Sequence, residues 1–100
     1  MKEIMKYNLD CRYDSRASFY GKAVVEITED CIVRNYVLKS YNTIVAIYTE
    51  DKTSNLKQYS YLGKYSQTTT RHQKEFFKQF GLSDKEIKEL FNKGTLEIEK

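Results

Sequence analysis

The chain has no proline, only four glycines, two cysteines and a single histidine among its 100 residues. Each scarcity removes a class of answer. Without proline and with so little glycine there is no stretch of linker composition. At this length a chain folds around one core, so residues 1–100 are expected to form a single domain. One histidine and two cysteines fall short of the three or four soft or imidazole ligands a zinc site needs, and no metal or other cofactor is expected. No glycine-rich phosphate loop is present to hold a nucleotide.

Long apolar runs are absent too. The opening MKEIMKYNLD is broken by Lys2, Glu3, Lys6 and Asp10, so it lacks the continuous apolar region of a signal peptide, and nothing later reaches membrane-spanning length. A cytoplasmic protein without a membrane partner is expected. Cys11 and Cys31 stand twenty positions apart without a secretory signal, which reads as two free, partly buried thiols.

Hydrophobic residues make up 40% of the chain, with nine tyrosines, five phenylalanines and a net charge of +3. This is the composition of a folded globular domain. The charge is uneven. Over residues 52–81 Lys52, Lys57, Lys64, Arg71, Lys74 and Lys78 face only Glu75, a local excess that would attract phosphate or an acidic surface.

The first half reads as strands. Residues 22–28 alternate Ala23, Val25 and Ile27 against polar positions, and Glu29 and Asp30 make a turn. Residues 31–39 and 43–49 are rich in Val, Ile and Tyr and join through Ser40, Tyr41 and Asn42, the pattern of a hairpin. Residues 49–55 read as the longest loop, and 56–62 alternate again before Gly63. Residues 4–9 and 95–99 are weaker strand candidates.

The period then changes. Thr68 or Thr69 can cap a helix that Gly81 ends, with His72, Phe76 and Phe80 recurring every four residues beside Phe77. Ser83 and Glu86 have the spacing of a capping box, Leu82 and Ile87 can staple it, and Gly94 ends this second helix. Strands followed by two short helices give an α+β domain, with an antiparallel sheet of four to six strands and both helices packed on one face.

Two clusters are candidate sites. Ser66, Thr68, Thr69, Arg71 and His72 gather where a helix begins, and unsatisfied N–H groups there favour an anion. A capping threonine and a core-edge histidine account for the same residues. Lys57, Tyr59 and Tyr61 share a strand face, followed by Lys64 and Tyr65. On an exposed sheet such tyrosines could stack bases while lysines meet phosphates, whereas cross-strand tyrosine pairs explain them structurally. The glycine and aromatic signature of an RNA-recognition motif is missing. A nucleophile, whether Cys11, Cys31 or a hydroxyl, would have to share His72 as its base, so no catalytic residues are assigned and the protein is not expected to be an enzyme. The acidic pairs Glu29-Asp30 and Glu50-Asp51 both fall in turns.

The segments Ser40-Tyr41-Asn42-Thr43-Ile44-Val45-Ala46 and Tyr65-Ser66-Gln67-Thr68-Thr69-Thr70-Arg71-His72-Gln73, with the phenylalanine-rich helix after them, resemble a family of uncharacterised small proteins from phages, plasmids and other mobile elements of Gram-positive bacteria. The resemblance spans residues 36–82. It implies an accessory protein that grips host machinery, as anti-CRISPR and other anti-defence inhibitors do. The expected function is therefore a non-catalytic interaction protein that binds and inhibits a host nucleic-acid-processing or defence complex, using Tyr59, Tyr61, Lys64, Arg71 and Lys74. The alternative is a DNA- or RNA-binding domain working through the basic, tyrosine-rich face of residues 52–81, with Lys57, Tyr65 and Lys78 added. An uncovered sheet edge would invite a homodimer.

Overall fold

The structure is a computed structural model and describes residues 2–99. Six strands form one antiparallel sheet in the order of the chain: β1 (Lys2–Asn8), β2 (Ala23–Glu29), β3 (Val33–Ser40), β4 (Thr43–Asp51), β5 (Leu56–Tyr61) and β6 (Thr95–Glu99). Helices α1 (Gln67–Gln79) and α2 (Asp84–Lys93) lie between β5 and β6. The α+β architecture expected from the sequence is the one observed. Neighbouring strands in the sheet are also neighbours in the chain, and short hairpin connections join β2 through β5.

Strand alternation decides which face is buried. Ala23, Val25 and Ile27 pair across with Ser40, Leu38 and Tyr36, and Leu38 and Tyr36 pair with Ala46 and Tyr48. These residues face the helices. Val24, Glu26, Val37, Lys39 and Ile47 occupy the alternating positions and are only half-buried, since no second layer covers that side. A bulge between Leu38 and Lys39 makes Val45 the extra residue of β4 and turns it into the core.

The helix stops follow side-chain chemistry. Ser66 caps α1, its Oγ accepting from the Thr69 N–H at 3.1 Å, so the start lies two or three residues before Thr68 or Thr69. At the other end the Gly81 and Leu82 N–H groups donate to the Lys78 and Phe77 carbonyls, with Gly81 at φ +97°. That is a Schellman closure, which needs the left-handed residue that glycine supplies. Ser83 and Glu86 form the reciprocal capping box of α2.

An aromatic seam holds α1 to the sheet. Phe80 stacks on Tyr48 with centroids 4.5 Å apart and meets Tyr36 at 4.8 Å; Tyr48 in turn lies 4.9 Å from Tyr59. Phe76 and Phe77 are wholly buried beneath it. The Tyr59 hydroxyl donates to the Phe80 carbonyl at 2.7 Å, which gives a buried polar tip a partner.

Three expectations change. β4 runs to Asp51, held by the Arg34–Glu50 and Val33–Asp51 pairings, so the long loop is not 49–55 but 9–22, between β1 and β2. Cys11 is half-buried, but Cys31 is exposed because it sits in the tight β2–β3 turn with nothing over it. The tyrosines Tyr59 and Tyr61 face the helices and not solvent: Tyr59 is buried and Tyr61 stacks on Phe91 at 4.2 Å.

Truncating Phe77 to alanine is expected to destabilise the protein by about 3–5 kcal/mol, whereas Tyr59→Phe should cost only about 1 kcal/mol by orphaning one carbonyl. Urea unfolding of the two variants checks the ranking, and equal losses would contradict the seam as described.

Candidate functional site

The hydroxyl-rich start of α1 is a closed polar chain. From the Ser66 cap, Thr69 Oγ1 lies 3.3 Å from Ser66 Oγ and 2.9 Å from Ser40 Oγ on β3, and Ser40 Oγ lies 2.8 Å from His72 Nδ1. Ser40, Thr69 and His72 are all buried, His72 at 1% exposure. Its ring meets Phe19 edge-on at 4.5 Å and lies 5.9 Å from Tyr41, and its Nε2 has no hydrogen-bond partner. Burial pushes the imidazole below its ordinary pKa, with Asp14 opposing and Arg16 adding to the effect. A serine 2.8 Å from a histidine has the reach of a nucleophile and base, but this pair is sealed between helix and sheet.

The next turns of α1 are equally committed. Gln73 donates to the Val45 and Gly63 carbonyls, both at 3.0 Å, tying the β4 bulge to the segment before the helix. Glu75, also buried, accepts from the Tyr13 and Asp14 N–H groups at 2.8 Å and from Gln79 at 2.6 Å. Gln79 donates as well to the Asp10 carbonyl, and Arg71 pairs with Asp14 at 3.1 Å. One stripe of α1 thus clamps the 9–22 loop, which also buries Leu9 and Phe19 in the core.

The five residues of the candidate anion site do not share one open surface. Ser66 is exposed and caps the helix, Thr69 and His72 are buried, Thr68 is half-buried, and Arg71 pairs with Asp14. The basic face of residues 52–81 also breaks up, because carboxylates from elsewhere in the chain arrive beside it. Lys52 pairs with Glu29 at 2.8 Å and Lys78 with Asp84 at 3.1 Å, while Lys57 sits across from Glu50. Lys64, Tyr65 and Lys74 remain exposed. With Tyr59 and Tyr61 turned inward, Lys57, Tyr59 and Tyr61 do not form an open stacking surface.

The exposed aromatic groups lie elsewhere. Tyr13, beside the later turns of α1, is 60% exposed; at the start of the helix Tyr20 is 76% exposed, Tyr41 51% and Tyr65 55%, with Ile44 and Leu62 also exposed. The chain brings the latter together around the start of α1: Tyr41 N–H donates to the Lys22 carbonyl, Leu62 N–H to that of Val45, and Tyr65 directly precedes the cap. Tyr20 and Tyr41 are the first central residues of two tight turns, followed by Gly21 and Asn42, and all four have positive φ (54°, 74°, 52° and 69°). That is the backbone of type I′ turns, where asparagine or glycine is the ordinary first residue. A bulky side chain there is strained.

Sequence reading identified the Tyr41 turn but not Tyr41 as a surface group. The available signal was the choice of tyrosine at a turn position with φ above zero.

A family model covers residues 7–93 and describes a family of unknown function, DUF8033. The chain belongs to that family. The DUF8033 match takes in both tyrosine turns and both helices, and it reaches well beyond residues 36–82. No curated protein and no solved structure matches the chain. Among the described residues, no helix is long and apolar enough to cross a membrane, and no cluster of three or more metal-ligating side chains occurs.

The buried imidazole sets a pH dependence. Since the folded pKa lies below the ordinary 6.5, the unfolded state takes up the proton first as the pH falls. Stability should hold above about pH 6.5, decline below it, and level off under the folded pKa. The carboxylates Glu26, Glu29 and Asp30, whose pKa values are lowered by their partners, act only at roughly pH 4 and below. Denaturant midpoints measured from pH 7.5 to 5 should therefore fall in the parent and stay flat in His72→Gln. A slope unchanged in that variant would show that His72 is not the group.

Proposed function

We propose that this chain is a non-catalytic binding protein that works by occupying part of a larger macromolecular complex. The observation that carries the reading is the contrast between the two sets of side chains at the start of α1. The groups with chemical potential, Ser40, Thr69 and His72, are buried in one hydrogen-bonded chain. Those left outside, Tyr20, Tyr41 and Tyr65, are of the kind that dominates binding energy at interfaces. The finer form of the proposal, inhibition of a host nucleic-acid-processing or defence complex by a mobile-element accessory, rests on the resemblance over residues 36–82 alone.

A second reading, direct contact with nucleic acid, has its own support at the same end of the molecule. The residues 16–22, 41–44 and 62–67 that surround it include Arg16, Lys22 and Lys64 and not one Asp or Glu.

Affinity capture from a bacterial lysate, with and without nuclease, tests the first reading. The expected result is a host protein retained after nuclease treatment and lost when Tyr20 and Tyr65 are both changed to alanine. Loss of every partner on nuclease treatment would sink it, as would retention unaffected by the double substitution.

A further inference from the structure

The tyrosine-bearing end has two properties that a generic interface does not need. The segments 16–22, 41–44 and 62–67 that build it hold no Asp or Glu, and it carries strained aromatic residues that contribute little to the core.

The charge at this end is unbalanced, as it also is at Lys74 and Lys88 on the helices, which form no ion pair among the described residues. Arg16, Lys22 and Lys64 have no ion-pair partner among the described residues. Asp14, two residues before Arg16, is 11% exposed and already engaged by Arg71. The first turn of α1 has no acidic residue, so its partial positive charge is uncompensated. A groove of about 460 Å³ leads from the two turns, where Gly21, Lys22, Tyr41 and Asn42 form its mouth, onto the uncovered sheet face at Lys39 and Lys6. Glu26 lies in that groove 2.9 Å from Lys39 and 3.8 Å from Lys6, leaving three lysines against one carboxylate.

The tyrosines are the second observation, independent of the charge. Tyr20 at φ 54° and Tyr41 at φ 52° occupy positions where asparagine would relieve the backbone. Neither ring is needed to fill the core, since half or more of each side chain's residue is exposed. Strain kept at an exposed position points to use of the side chain rather than to folding.

Flat rings displayed between unpaired cations suit a ligand that is planar and polyanionic. We propose that this end of the molecule binds single-stranded nucleic acid, with Tyr20 and Tyr41 as stacking platforms and Lys22, with Lys39 and Lys6 along the groove, on the phosphates. An unpaired strand is required because only unstacked bases can offer their faces to the rings. An acidic protein surface also meets lysine, but protein partners bring both signs and are served by a mixed rim. A polyanion, in contrast, penalises every exposed carboxylate. The inference rests on reading the chain as a binding protein, and it names the partner class of that end.

The test uses the purified full-length protein, a labelled single-stranded oligonucleotide of mixed sequence, the matching duplex, and poly-glutamate as an anion without bases. The single strand should bind at low ionic strength, more tightly than the duplex or poly-glutamate, and release as salt rises. Changing Tyr20 and Tyr41 together to asparagine should weaken binding at least roughly tenfold, while the melting temperature stays level or rises because the turns are relieved. Lys22→Glu should weaken binding and flatten the salt dependence.

Equal binding of poly-glutamate would overturn the proposal, as would binding that ignores the tyrosine substitutions but is lost on charge reversal at Lys74 and Lys88. The absence of any oligonucleotide binding at low ionic strength would overturn it as well. In that event nuclease-resistant capture of a host protein would leave the broader binding reading standing, so the two can fail separately.

Discussion

The stacking of Phe80 on Tyr48, extended through Tyr36 and Tyr59, is the contact on which the rest of the molecule depends. A six-stranded meander has one face to bury, and α1 is the element that buries the middle of it. Once the phenylalanine stripe is seated, the rotation of α1 is fixed. Its inward polar groups then have set destinations: Thr69 and His72 toward β3, Gln73 toward the β4 bulge, Arg71 and Glu75 toward the 9–22 loop. The aromatic seam supplies the burial and the polar stripe supplies the register.

That arrangement explains why most of the hydroxyl cluster is buried. A helix seated so close to a sheet must satisfy each buried donor and acceptor, because an unpaired one costs about 1–3 kcal/mol. The Ser66–Thr69–Ser40–His72 chain pairs its hydroxyls and the His72 Nδ1 with side chains from two elements and leaves the His72 Nε2 unpaired. The same seating brings two tight turns and the β5–α1 segment into one rim around the helix start. Three tyrosines and three unpaired cations are displayed there from parts of the chain far apart in sequence.

Local pattern made most of the fold legible. The alternation in β2, the Gly81 stop and the Ser83–Glu86 capping box are short-range features, and each reads directly from neighbouring residues. The site was less legible because it is a long-range property. The excess of positive charge over residues 52–81 is real along the chain but is reduced in space, where Glu29, Asp14 and Asp84 come alongside Lys52, Arg71 and Lys78. Likewise, strand alternation placed Lys57, Tyr59 and Tyr61 on one face, yet whether that face meets helix or water depends on where α1 lands. The 9–22 loop gave no periodic signal at all; its position is set by Glu75 and Arg71 from more than fifty residues away.

The account divides α1 into a buried structural helix and a rim that does the work, and backbone amide chemical-shift mapping during titration with a single-stranded oligonucleotide tests that division most directly. It predicts perturbations concentrated at residues 19–22, 41–43 and 64–66, with the His72 ring signals unmoved. Perturbations centred on Lys74, Lys78 and Lys88, or a shift of the His72 imidazole, would contradict it.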